Sequence, residues 1–434
     1  MKFYSTNKQS PEVDFKQATL KGIPLDKGLY FPERVPQIEN KFFQDIEKYS
    51  NAEIAYRIIS PYVSTSIPTE VLKQIVEETI DFDIPLVKVS SNIFSLELFH
   101  GPTLAFKDIG ARFMSRCLGY FAREKSDKVV VLVATSGDTG GAVANGFYNI
   151  KGVEVVILYP SGKVSNVQEK QLTTLGNNIH ALEVEGNFDD CQAMVKAAFA
   201  DEELNKMLFL TSANSINVAR WLPQQFYYFF AWKQWIDKAH PPVISVPSGN
   251  FGNICAGLLS KRSGLPVSHF IAACNANDTV TQYFEKGKYD PKKAVATISN
   301  AMDVGDPSNF VRIMEMFAGK LDLLNQLVTS YSISDDETRA AIKNVFQNQN
   351  YLLDPHGAVA WVGLKKYLQK QDNKRQGIFL GTAHPVKFYD VVEPVIQQKV
   401  LVPTSIQVQV NQEKRSLKIP SDNKILKDFL KKMK

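Results

Sequence analysis

Short apolar runs rich in β-branched residues alternate along the chain with stretches of helical periodicity, which predicts an α/β protein. The runs are "KVVVLVAT" (128–135), "VEVVILYP" (153–160), "HALEVEG" (180–186), "PVISVPSG" (242–249), "HFIAACNA" (269–276) and "QGIFLGTAHP" (376–385). Continuous apolar strands of this length are buried on both faces, so helices must flank a mainly parallel sheet. Several runs end in small, polar, glycine-rich segments, where open α/β sheets bind ligands. With 434 residues, 44% hydrophobic and 22% charged, the chain can build two or three domains around sizeable cores.

Residues 1–85 read as a leading unit with one clear helix in "IPTEVLKQIVEETI". Pro68 suits its first turn, and Val71, Leu72, Ile75, Val76 and Ile80 share a face. "LFHGPTLAFKDIGARF" then reads as the end of a strand, a Gly-Pro turn and the start of a helix, with Lys107 between Phe106 and Asp108. The chain ends in "NKILKDFLKKMK", whose Ile425, Leu426, Phe429, Leu430 and Met433 predict a docked amphipathic helix with its lysines in solvent.

A net charge of +5 is small for this length; it makes no case for nucleic acid and suits an anionic small substrate. Cys117, Cys191, Cys255 and Cys274 are far apart without a C-x-x-C pair, so reduced core thiols are expected rather than disulfides or a metal site. The N-terminus carries no long apolar segment, and no run approaches a membrane span. A cytoplasmic protein is expected.

Four loops could meet a ligand. "TSGDTGGAVANGF" (135–147) leads hydroxyls and glycines into a helix N-terminus, and "SGNFGNICAG" (248–257) can form a nest of amides around a phosphate. "TSANSINVARW" (211–221) supplies hydroxyls, amides and Arg220, a set suited to a phosphate dianion. "LGTAHPVKF" (380–388) supplies Thr382 and His384. His384, His100 and His356 each read as satisfied interior histidines. The glycine spacings fit neither a dinucleotide fingerprint nor a Walker loop. A lysine in an apolar setting loses hydration of its ammonium form and becomes a free amine able to form an imine. The carbonyl compound that also needs a phosphate nest is pyridoxal 5'-phosphate.

"HGPTLAFKD", "ATSGDTGGA", "PSGNFGN", "DPHGA" and "GTAHPVKF", in this order, resemble the bacterial and fungal-type threonine synthase family of pyridoxal-phosphate enzymes. "MKFYSTN" and "KGLYFPE" resemble that family's N-terminal domain. The resemblance implies fold type II, like the tryptophan synthase β subunit: two open parallel-rich sheets flanked by helices, plus a small N-terminal domain. It divides the chain into 1–85, a smaller α/β domain over 86–225 and a larger cofactor-binding domain over 226–434. It implies conversion of O-phospho-L-homoserine and water to L-threonine and phosphate; a monomer or homodimer is expected. A phospholyase giving 2-oxobutyrate and a catalytically silent binding module of the same fold are the alternatives.

By the same resemblance Lys107 holds the cofactor covalently, Ser248, Gly249, Asn250, Phe251, Gly252 and Asn253 hold its phosphate, and Thr382 faces its ring nitrogen. Ser136, Gly137, Asp138 and Thr139 lie near the substrate carboxylate; Asn214, Ser215 and Arg220 hold the substrate phosphate. An acid beside a carboxylate is repulsive unless protonated or paired elsewhere, so direct contact by Asp138 is not expected.

Overall fold

The computed structural model describes residues 1–123, 128–371 and 375–433. The two N-terminal motifs pair with each other: β1 (Phe3–Ser5) runs antiparallel to β2 (Tyr30–Pro32), with Phe3 opposite Pro32. Phe3, Tyr30 and Phe31 are buried beneath this ribbon. The predicted helix spans Thr69–Thr79 and buries Leu72, Ile75, Val76 and Thr79, while Pro68 stands one residue earlier, as its N-cap.

The remaining strands are β3 (Leu86–Lys88), β4 (Ile93–Glu97), β5 (Val129–Ala134), β6 (Val153–Pro160), β7 (Ile179–Glu185), β8 (Phe209–Thr211), β9 (Val243–Pro247), β10 (His269–Cys274), β11 (Val328–Ser332), β12 (Gly377–Gly381) and β13 (Ser416–Pro420). One sheet has the order β11-β10-β9-β12-β4-β3, the other β13-β7-β6-β5-β8. All pairings in these two sheets are parallel except the β3–β4 hairpin. All six strands expected from apolar runs form; β5, β9, β10 and β12 are buried at every residue.

Division of the chain at 86 and 225 does not follow the sheets. β3 and β4 join the sheet of β9 to β12, and β13 returns from the C-terminus to pair with β7, Ser416 opposite Ala181. The reason lies in the pairing: β4 runs parallel to β12, which fills the gap between β4 and β9.

The C-terminal helix spans Asn423–Lys431, with Leu426 and Leu430 buried against the helix Phe188–Ala200; Lys434 lies outside the described residues. Its lysines are not merely solvated. Lys427 pairs with Asp201 and Glu203, and Lys431 with Glu203.

Candidate active site

After β4 the chain turns through Leu104, a non-glycine residue at φ 57°, a conformation that costs on the order of 1 kcal/mol and must be held by its surroundings. The loop after β12 holds it. Leu98 N donates to Gly381 O (2.8 Å), Phe106 N to Thr382 O (2.9 Å) and His384 N to Leu104 O (3.0 Å), with a bridge between Ala105 and Ala383. Lys107 opens the helix Lys107–Ala122, and Asp108 in its first turn accepts from Thr103 N and Oγ1 (2.9 and 2.5 Å). Burial pushes the Asp108 carboxyl up.

Lys107 Nζ has no hydrogen bond or ion pair among the described residues; it lies 5.9 Å from the Phe106 ring centroid. Burial lowers its pKa to about 8, with Lys387 and Arg220 acting in the same direction and Asp138 against them. The neutral amine, which imine formation requires, is therefore far more populated near physiological pH than in an ordinary lysine.

The segment after β9 is the one expected to form a nest. Phe251 has φ 60° and caps the helix Gly252–Arg262, so successive amides point into one concavity. Among the described residues the amides of Gly249, Asn250, Phe251, Gly252 and Asn253 donate to no acceptor. A Cβ at Gly249 would stand 2.7 Å from Met302 Cα, so only glycine lets the loop lie there. The side chains brace rather than line the nest: Ser248 Oγ donates to Val246 O (2.9 Å) and Asn253 Nδ2 to Pro247 O (2.9 Å). Thr382 is buried, and its hydroxyl has no partner among the described residues.

A second nest follows β5. Thr135 Oγ1 accepts from Gly137 N (3.0 Å) and Gly140 N (2.8 Å), and among the described residues the amides of Ser136, Asp138 and Thr139 at the N-terminus of the helix Asp138–Phe147 have no acceptor. The Asp138 side chain turns elsewhere, to Lys387 Nζ and Gln168 Nε2, both 2.9 Å away. These partners hold its carboxyl well below the usual range against the cost of burial.

The loop after β8 meets the first nest, Asn250 Nδ2 donating to Ser215 Oγ (2.7 Å). Asn214 is half-buried nearby. Arg220 is buried under the lysine helix, where Gly110 lies so close that a Cβ would meet Arg220 O at 2.6 Å. Its Nη1 donates to Ala213 O (2.5 Å), but its Nε is buried without a partner, and burial lowers its pKa to about 10.

His356 and His384 brace the interior, whereas His100, expected to be interior as well, is exposed at the end of its turn. His384 Nδ1 accepts from Val386 N (3.1 Å), and burial lowers its pKa to about 4. His356 bonds Asp354 (2.6 Å) and accepts from Ala301 N (3.2 Å), fixing the segment behind Gly249, and His100 meets Glu97 (2.7 Å). Three further residues carry the site without having been singled out in the sequence. Lys387 had a signal, since "VKF" sets it between two apolar neighbours. Gln168 and Arg312 had none; Arg312 is fully buried and donates to Tyr30 O, Ile216 O and Asn309 Oδ1, while Asn309 Nδ2 holds Asn250 O.

Three families match the chain in sequence: pyridoxal-phosphate dependent enzyme over residues 84–380, threonine synthase N terminus over 2–80, and threonine synthase, C-terminal over 357–430. A threonine synthase of Serratia marcescens is 43% identical over 99% of both chains. The chain belongs to the threonine synthase family. The crystal structure of threonine synthase from Escherichia coli superposes with TM-score 0.92 at 41% identity, covering 100% of both chains. A PLP-bound threonine synthase from Brucella melitensis gives TM-score 0.94 at 34% identity, over 100% of this chain and 99% of that one. The fold is therefore the type II fold of pyridoxal-phosphate enzymes, with the additional N-terminal domain of this family. No helix of the described residues is long and apolar enough to cross a membrane.

Proposed function

We propose that this chain converts O-phospho-L-homoserine and water to L-threonine and phosphate, using pyridoxal 5'-phosphate held on Lys107. The observation that carries the reading is an amine of lowered pKa, without a partner among the described residues, beside the loop that follows β12, while the amides without acceptors follow the neighbouring parallel strand β9. The residues fit the cofactor: Lys107 would bind its aldehyde, the amides of Gly249 to Asn253 its phosphate, and the Thr382 hydroxyl its ring nitrogen. A neutral hydroxyl does not favour a protonated ring nitrogen as a carboxylate would, which moderates the electron sink and disfavours transamination. When bound, the cofactor supplies an electron sink for the substrate α-carbon.

The chain's own residues do the rest. Lys107 Nζ would serve as a proton relay: it would take the α-proton and pass it on, and, neutral again, take a β-proton and deliver that proton to Cγ after phosphate departs. The amides of Ser136, Asp138 and Thr139 hold the substrate carboxylate. Asn214, Ser215 and Arg220 hold the phosphate, and the unpartnered Arg220 Nε supports that role because a buried guanidinium nitrogen is costly unless an acceptor arrives. The nests stand on different sheets, so closure of one domain over the other can exclude water before phosphate leaves and admit it for addition at Cβ. Four buried, unpaired cysteines support a cytoplasmic setting, and we read the assembly as a monomer or homodimer.

The test is to incubate the cofactor-loaded protein with O-phosphohomoserine and quantify phosphate, threonine and 2-oxobutyrate. Equal yields of phosphate and threonine are expected; phosphate with 2-oxobutyrate would replace the synthase by a phospholyase.

A further inference from the structure

Lys387 presents an unusual arrangement. It is 0% exposed, stands just after β12 on the six-stranded sheet, and reaches across to Asp138 after β5 on the five-stranded sheet. Its ammonium bonds Asp138 Oδ1 (2.9 Å) and Thr103 O (2.7 Å), and its own carbonyl accepts from Ser165 Oγ (3.0 Å). Ser165 caps the helix Asn166–Thr173, whose Gln168 is the other donor to Asp138. A buried cation gripped at both ends in this way is fixed in place, and so is the carboxylate it holds.

Lys387 reaches Thr103 O, and Thr103 in turn holds Asp108, the residue after Lys107, so Lys387 and its partner Asp138 stand at the start of the lysine helix, with Arg220 packed under Gly110 of the same helix. These are the charged groups acting on Lys107, while His384 near Lys387 is held neutral by burial. Of these Asp138 is the anion that would capture the Lys107 ammonium as an ion pair. A lysine so captured would remain protonated and could not attack an aldehyde.

We propose that Lys387 is a positioning residue that occupies and neutralises Asp138, so that Lys107 keeps a free amine. Asp138 then serves as the anchor that draws Lys387 across the cleft, and the pair adds almost no net charge beside the substrate carboxylate. This rests on the reading of Lys107 as the cofactor lysine.

The relation predicts opposite effects from its two members. In cofactor-free protein, labelling of Lys107 by trinitrobenzenesulfonate as a function of pH, quantified by peptide mapping, gives a midpoint for that amine. Lys387→Met leaves Asp138 facing Lys107 alone, and the midpoint rises by about one pH unit or more. Asp138→Asn leaves Lys387 unbalanced, and the midpoint falls. The double variant returns close to the unaltered protein, and Lys387→Arg stays near it. An unchanged or lowered midpoint in Lys387→Met overturns the proposal, as do shifts of the same sign in both single variants. Should circular dichroism show Lys387→Met unfolded, Asp138→Asn decides alone: a fall supports the relation and no fall overturns it. Borohydride reduction of the loaded unaltered protein separates the two readings, since a pyridoxyl label away from Lys107 sinks the assignment of the cofactor lysine and leaves the charge relation to its own result.

Discussion

Two lysines show what a residue's neighbours decide. Lys107 and Lys387 both sit in apolar local sequence at the carboxyl ends of strands, yet Lys387 meets a carboxylate and Lys107 meets none. Lys107→Ala should abolish borohydride-stable labelling by pyridoxal phosphate and cut turnover by at least roughly 10²- to 10⁴-fold, the range for a lost general base; an intact label on the variant would refute the role. Arg220→Ala should raise KM for O-phosphohomoserine, by about tenfold or more, while cofactor absorbance stays. Loss of absorbance instead would assign Arg220 to the cofactor's phosphate. His356→Ala removes the acceptor of Ala301 N behind Gly249, so the cofactor should dissociate more readily, by about tenfold in Kd measured by absorbance titration.

At the level of elements, strands buried on both faces were legible because continuous apolar runs leave little else for them to be. β3, β8, β11 and β13 escaped because edge strands are short or half-exposed and carry no such signal: "SLKIP" buries only Ile419. The loops after β5, β8, β9 and β12 were legible from their glycines and hydroxyls, whereas Asp138 with Lys387 joins residues distant in sequence and depends on how two sheets face each other. Arg312 links three elements in the same hidden way, joining the N-terminal ribbon at Tyr30 to the loop at Ile216 and to Asn309. Arg312→Ala leaves two carbonyls without these donors at about 1–3 kcal/mol each, so a lower denaturation midpoint is expected, with loss of substrate affinity as the 216 loop loosens. An unaltered midpoint would mean that water replaces the guanidinium without cost.

For the whole molecule, cofactor capture should follow the charge state of one amine. Burial lowers the Lys107 pKa to about 8, so its reactive neutral form is scarce well below that pH and dominant above it. The rate at which cofactor-free protein takes up pyridoxal phosphate, followed by absorbance, should therefore rise with pH and level off above about 8. A flat profile between pH 6 and 9 would contradict that. The threading of the sheets has a consequence at the ribosome. β12 lies between β4 and β9, so β4 has no parallel neighbour until residue 381 has been made. At about 5–20 residues per second, the nascent chain carries that unfilled edge for roughly fifteen to sixty seconds. During that interval the β3–β4 hairpin is the segment most open to pairing with another copy emerging from the same polysome.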